Sequence, residues 1–447
     1  VELDAETIVP EGFRLGVSTS AYQTEGAAGR GECIWDRFLS RTALPVGAWS
    51  VATDHLKRLE EDLDLASGLG APVYRFSLSW PRVMPEGKGR PKRDALALYD
   101  RVLDEALARG LEPWPCLYHW DLPQALQDRG GWRNRDTAYY LADYAEVAAE
   151  LLAGRAKRVF VLNEPNVHAV LGHLVGTHAP GLKDMEAFLG ALHHQNLAYG
   201  LAHARLKEAM PDAEVGTIVM VQPVSPADEG EDHEAAAALA DAAFNRAFLD
   251  PLFGRGYPEP VGDMLEPFVR EGDLAEVARR PDVLGVNYYT RLRVRSDPES
   301  PAGLSLAAAP RDAEVTDMGW EVYPRGLVEV LTRLRDEYDS PRLAVTECGA
   351  AFRDEPRASG RVDDVNRARF LVRHLRAALA ARERGCDVDS FLVWTLVDNL
   401  EWTEGFAKRY GIVRLEPDTL RRVPKLSYEV LREVAASGRV PPPDELR

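Results

Sequence analysis

Cysteine is scarce in this chain of 447 residues: Cys33, Cys116, Cys348 and Cys386 stand far apart, with no C-x-x-C pair among them. That spacing excludes a disulfide scaffold and the zinc-ribbon and thioredoxin-like patterns. A buried apolar thiol is the default for each. N-x-S/T sequons are also missing. Both absences favour a reducing compartment, and the expected location is cytoplasmic. No long apolar run occurs. The most apolar stretch, Phe391 to Val397, stops at Asp398, well short of the roughly 20 residues a membrane helix needs. The opening residues, Val1 to Gly12, are acidic and polar, unlike a secretory leader. No membrane partner is expected. Positive charge is in deficit: 54 Lys and Arg face 71 Asp and Glu, for a formal charge of −17. Such a chain repels polyanions, which excludes nucleic acid as the expected partner. The G-x-G-x-x-G, P-loop and G-x-S-x-G patterns are absent, which argues against a nucleotide enzyme and a serine hydrolase. H-E-x-x-H is absent too. His168, His173 and His178 are spaced by five, which does not put them on one α-helical face. No metal site and no cofactor is expected.

What remains is a rhythm of short β-rich runs and long amphipathic stretches, without a linker or an internal repeat. The β-rich runs are Arg14–Ser20, Pro72–Trp80, Leu111–His119, Arg158–Asn166, Ala213–Val221, Asp282–Thr290, Arg342–Ala350 and Ser390–Asp398. Several are apolar at consecutive positions, as in Phe391-Leu392-Val393-Trp394, the pattern of strands covered on both faces. Between them lie helical patterns such as Arg93–Arg109, with Leu96, Tyr99, Val102, Leu103 and Leu107 on one face. Helical stretches end at Gly70, Gly110, Gly154 and Gly385, where a left-handed cap is expected. Eight strand–helix units with right-handed crossovers close into a single α/β domain, a (β/α)8 TIM barrel spanning residues 1–447. The strands recur about every 54 residues, against roughly 31 in a minimal barrel. The excess length belongs to loops, and long loops after the strands imply a deep pocket.

In such a barrel the polar residues at strand C-terminal ends are the candidates for chemistry. Here they are Gln23, His119, Asn163 with Glu164, Asn287 and Tyr289, Glu347, Trp394, and then Glu401 and Trp402. Amides and a histidine pair with vicinal hydroxyls in either sense, and an indole covers the C–H face of a pyranose. Two carboxyls are what glycosidic cleavage needs: one protonates the leaving oxygen, the other attacks or stabilises the anomeric carbon. Strands four and seven lie about 14 Å apart in an eight-stranded barrel. Two glutamates reaching inward would leave roughly 6 Å, between the retaining and inverting separations. Taken singly, these residues have plainer readings. His119 would be a satisfied core histidine, the amides would serve turns, Arg75 would be a buried ion-pair partner, and Trp120 is as readily a core aromatic as a sugar contact.

The segments Ser20-Ala21-Tyr22-Gln23-Thr24-Glu25-Gly26-Ala27, Tyr74-Arg75-Phe76-Ser77, Leu117-Tyr118-His119-Trp120-Asp121-Leu122-Pro123, Leu162-Asn163-Glu164-Pro165, Asn287-Tyr288-Tyr289-Thr290, Val345-Thr346-Glu347 and Glu401-Trp402-Thr403-Glu404-Gly405-Phe406 together resemble the β-glucosidases of glycoside hydrolase family 1 over nearly the whole chain. The resemblance implies a retaining, exo-acting enzyme on a small-molecule β-glycoside. Glu347 would be the nucleophile and Glu164 the acid and then the base. Arg75, Asn287 and Tyr289 would support them. Gln23, His119, Asn163, Glu401 and Trp402 would hold sugar hydroxyls over a Trp394 platform, with Trp120, Asn166 and Tyr410 as further candidates.

The chain departs from the family pattern at Cys348, usually Asn, at Asn166, usually Trp, and at Tyr410, often Phe. Lys408 and Tyr410 match positions that hold the phosphate in relatives acting on 6-phospho-sugars. Glu401 stands where those relatives have a small residue, and its charge would repel a phosphate. A neutral sugar is therefore expected. The alternatives are a 6-phospho-β-glucosidase, a transglucosidase with a small acceptor, and a catalytically silent sugar-binding protein.

Overall fold

A computed structural model describes residues 7–300, 302–339 and 342–446. Residues 1–6 of the acidic opening stretch, and the two extremes of the expected domain, lie outside the described residues. Eight parallel strands close into a barrel: β1 (Arg14–Ser18), β2 (Val73–Ser77), β3 (Glu112–Tyr118), β4 (Arg158–Asn163), β5 (Glu214–Met220), β6 (Val283–Tyr288), β7 (Arg342–Cys348) and β8 (Val388–Trp394). Neighbours in sequence are neighbours in space, and β8 pairs with β1 to complete the ring. Every expected strand is present. Most are shorter than expected at the C-terminal end, because the chain leaves the sheet to present side chains to the mouth. Only β8 begins earlier than expected. Its Asp389 looked like a boundary, but ion pairs with Arg14 and Arg158 satisfy the carboxylate inside the sheet.

Helices cover the barrel. They include α1 (Leu59–Gly68), α2 (Arg93–Ala108), α3 (Asp136–Leu152), α4 (Met185–Ala209), α5 (Pro324–Glu337), α6 (Val365–Glu383) and α7 (Leu426–Ser437). On α2 the buried face runs through Ala95, Tyr99, Val102, Leu103 and Ala106, while Leu107 is exposed. Ala95 and Ala106 therefore belong to the buried face, Leu96 packs at its edge, and the expected Leu107 lies outside it. Gly110 stands just past this helix at φ 72°, a left-handed conformation that costs a residue without Cβ little. Among the described residues, no helix is long and apolar enough to cross a membrane.

The barrel interior changes character along its axis. Val73, Trp114, Cys116, Phe160, Ile218, Val283, Ala344 and Leu392 form one buried apolar cluster inside it. At the strand C-terminal ends the inward positions become polar, with Arg75, Asn163, Asn287 and Glu347 all buried. At the opposite mouth, the guanidinium of Arg158 lies 4.2 Å from the Trp114 ring centroid and donates to Glu214 at 2.8 Å and Asp389 at 2.7 Å. A buried cation is tolerated because two carboxylates and an aromatic face replace its water.

Arg158→Met should therefore cost about 3 kcal/mol, since it leaves Asp389 without this partner in a place water reaches poorly. Urea unfolding of the two proteins measures the difference. Catalytic parameters of the folded protein should not change.

Candidate active site

The polar mouth is organised around one fully buried cation. Arg75, inside β2, donates through one nitrogen to Oε1 of Glu347 on β7 and through the other to Oδ1 of Asn163 at 2.7 Å. Tyr289, one residue past β6, donates to Oε2 of Glu347 at 2.6 Å. Both oxygens of Glu347 are thus acceptors, the pattern an ionised carboxylate takes. Asn163 closes β4. Its Oδ1 also accepts from Asn287 at 3.1 Å, and its Nδ2 donates to Nε2 of His119 at 3.0 Å. Asn287 donates to Oε1 of Glu164 at 2.7 Å and accepts from Thr346 at 2.7 Å. The amide's orientation follows from Arg75, which can only donate: it makes Asn163 Oδ1 an acceptor, and Asn287 must turn its nitrogen to that oxygen.

The two glutamates are therefore linked by a continuous chain of side chains, yet their surroundings differ. Glu164 is buried, and burial pushes its carboxyl well above the usual range. The charge of Glu347 adds to that push, and the Asn287 bond opposes it. Burial, with the Arg75 charge beside it, keeps His119 well below the usual imidazole range, hence neutral. Its Nε2 accepts from Asn163, so Nδ1 carries the proton. That buried Nδ1 has no partner among the described residues and is a donor available to a ligand. Tyr289 stays protonated, because burial and both glutamate charges raise it.

Three residues here hold left-handed backbone without being glycine: Glu164 at φ 46°, Trp120 at φ 73° and Trp402 at φ 45°. Each such conformation costs of order 1–3 kcal/mol and persists only where its surroundings enforce it. Trp120 Nε1 donates to the Asn163 carbonyl at 2.8 Å, bracing the peptide that leads into Glu164. Trp402 packs against Trp120 and Trp35, with ring centroids 4.7 and 4.4 Å away.

The remaining candidates occupy the rim. Gln23 lies on a short helix, Ala21–Glu25, and not on extended chain; its amide donates to the Leu400 carbonyl at 2.9 Å. Glu401 follows, with Oε2 buried and without a partner among the described residues. Burial raises its carboxyl to about 8, the charge of Glu347 adds to this, and bonds from Trp394 and Gln23 partly oppose it. Trp394 ends β8 and packs with Tyr289 and Tyr410 in a small rim cluster. Its carbonyl presses on Gly349, where a Cβ would meet that oxygen at 1.9 Å.

The structure directs Asn166 elsewhere. It is buried, and its amide donates to the Met220 and Phe244 carbonyls at 2.8 and 3.1 Å. The histidines also differ from expectation. Residues 170–175 wind as a π-helix, whose wider turn brings the His168 and His173 rings to 5.2 Å. Their nitrogens face other partners: Tyr118 for His168 Nε2 and the His168 carbonyl for His173 Nδ1.

Two neighbours of the site went unnoticed in the sequence. Trp320 packs edge-on against Tyr289 at 5.8 Å, and Met318 joins the same rim cluster. The usable signal was position: both lie in the long loop after β6, on the face where the site is built.

A parallel barrel whose mouth holds two carboxyls of unlike character, amid amides and indoles, is an architecture for breaking glycosidic bonds. The sequence pattern of Glycosyl hydrolase family 1 matches residues 5–439, and the chain belongs to that family. It is 39% identical over 426 residues to β-glucosidase A of Thermotoga maritima, covering 93% of this chain and 95% of that protein. A bifunctional β-D-glucosidase/β-D-fucosidase of Bifidobacterium breve is 38% identical, with 96% and 98% covered. A solved family 1 β-glucosidase from Thermotoga maritima superposes with a TM-score of 0.92 at 37% identity, over 97% of this chain and 98% of that one.

Asp121, beside Trp120, is also buried. Burial lifts its carboxyl to about 8, and the nearby Ser79 hydroxyl and Arg30 charge offset this only in part. A carboxyl raised in the folded state keeps its proton while the unfolded chain loses it near pH 4. Stability is then lost as pH rises from about 4 to 8. Asp121→Asn should flatten that part of the stability–pH curve, as read by denaturant midpoints at pH 5 and pH 8. An unchanged slope would contradict the assignment.

Proposed function

We propose that this chain is a retaining, exo-acting β-glucosidase that releases terminal β-D-glucosyl units through a covalent glycosyl-enzyme. The observation that carries the reading is the opposed setting of the two glutamates. Glu347 accepts from Arg75 and Tyr289 on its two oxygens. Glu164 sits where burial keeps its proton. In the first step Glu347 attacks the anomeric carbon while Glu164 gives its proton to the departing oxygen. In the second, Glu164 takes a proton from water as that water displaces Glu347. Charge that develops on the sugar ring is met by the carboxylate, and a 2-hydroxyl held by Asn163 strengthens its bond in the transition state. His119, Gln23, Glu401 and Trp402 take other hydroxyls, over the Trp394 face.

A neutral glycone is favoured over a 6-phosphorylated one, though the reason shifts from the sequence reading. With its carboxyl raised to about 8, Glu401 is largely uncharged at neutral pH and repels phosphate less than expected. Instead, the preference is supported by relatives named as β-glucosidases, without a phosphorylated glycone in their names. Relatives named for glucosidase and fucosidase activity support tolerance at the sugar's 4- and 6-positions. The four buried, unpaired cysteines support a reducing, cytoplasmic setting.

Glu347→Gly should lower kcat on an aryl β-glucoside by at least about 10⁴-fold. Added azide should restore turnover with an α-glucosyl azide as product; a β-azide would overturn the nucleophile assignment. The kcat/KM profile should fall on its alkaline side as Glu164 loses its raised proton. Glu164→Gln should abolish that limb while leaving activated aryl leaving groups less affected than cellobiose.

A further inference from the structure

The loop from Asp398 to Gly411, which carries Glu401, Trp402 and Tyr410, is closed at its base by a buried ion cluster. Asp398 accepts from the Gly411 amide at 2.9 Å and from Lys425 at 2.8 Å. Lys425 also donates to the Gly411 carbonyl at 2.7 Å and to Asp354. The two loop ends are therefore clamped by one carboxylate and one ammonium. The approach is close: a Cβ on Gly411 would lie 2.1 Å from the Asp398 nitrogen.

A second cation ties this loop to its neighbour. Arg367 on α6 pairs with Asp354 and Asp364 and donates to three backbone carbonyls. Those carbonyls belong to Ala350 and Phe352, just beyond β7, and to Arg409, next to Tyr410. Asp364 in turn accepts from the Ser427 amide at 2.8 Å and hydroxyl at 2.6 Å, at the start of α7. The side chains of Arg367, Lys425, Asp354 and Asp364 are fully enclosed.

Three carboxylates against two cations, all out of water, is an expensive way to gain stability alone, since apolar residues of similar volume often do as well. What such a cluster supplies is fixed geometry. We infer that Asp398, Lys425 and Arg367 are positioning residues for sugar recognition: they hold the Glu401 loop in register with the β7 loop, so that the carboxyl of Glu401 meets the 4- and 6-hydroxyls of the bound ring. The chain beyond the eighth strand thus completes the glycone pocket from behind. This inference rests on the β-glucosidase reading above.

The test compares p-nitrophenyl β-D-glucoside with the matching β-D-xyloside, which lacks the 6-hydroxymethyl group. Asp398→Asn keeps the shape and an acceptor for Gly411 but weakens the hold of Lys425. It should lower kcat/KM on the glucoside about tenfold, mainly through KM, and on the xyloside, which keeps the 4-hydroxyl contact alone, by only about threefold. Arg367→Lys keeps the charge but loses the fork of carbonyl bonds. It should shift the ratio the same way and serves if Asp398→Asn does not fold. An equal loss on both substrates, or no loss on either, would overturn the positioning role. Wild-type protein inactive on both glycosides would instead refute the functional reading itself.

Discussion

One guanidinium sets the geometry of the barrel mouth. Arg75 is fully buried, with Glu347 on one side and Asn163 on the other. A guanidinium keeps its charge even out of water, so one placed there must be matched or it destabilises the fold. Its partners then determine the rest. Asn163 turns its amide nitrogen to His119, its oxygen fixes Asn287, and Asn287 reaches Glu164. Each polar group has its orientation chosen by its neighbour, so the two glutamates are held in different environments before any ligand arrives. Preorganisation of this kind avoids the reorganisation that solvent would require.

Backbone strain has the same address. Glu164, Trp120 and Trp402 all adopt left-handed conformations, and each is held by a bond or a stack: the Trp120 indole on the Asn163 carbonyl, and Trp402 between Trp35 and Trp120. The apolar plug of Trp114, Phe160, Ile218 and Leu392 lies deeper in the barrel. It gives the polar layer a rigid floor. Stability is concentrated at one end of the barrel and reactivity at the other, and the Arg158 cluster seals the stable end.

The barrel was legible in the sequence because strands buried on both faces leave consecutive apolar runs, and these recur between amphipathic helices. The strand ends were less legible. Asp389 breaks the apolar pattern yet lies inside β8, since its partners Arg14 and Arg158 come from β1 and β4. Glu164, Glu347, Asn163, Asn287 and Tyr289 were found because the chemistry sits at strand ends, where it also makes local motifs. Trp320 and the enclosed cluster of Asp354, Arg367 and Lys425 were not. Their meaning depends on contacts between segments far apart in the chain, which no local pattern encodes. The π-helical turn at 170–175 was hidden for a related reason: a spacing of five reads as unrelated until the winding is known.

The seam between the first and last barrel strands has a bearing on biosynthesis. Arg14–Ser18 must pair with Val388–Trp394, so its open edge waits through most of translation for the strand that covers it. An exposed edge is a template for wrong partners, and long-range pairing is slow. The single glycine and the polar residues at either end of the first of these strands, Arg14-Leu15-Gly16-Val17-Ser18, make it a poor adhesive while it waits. A nascent polypeptide arrested before residue 388 would have both Glu164 and Glu347 but no closed ring to hold them.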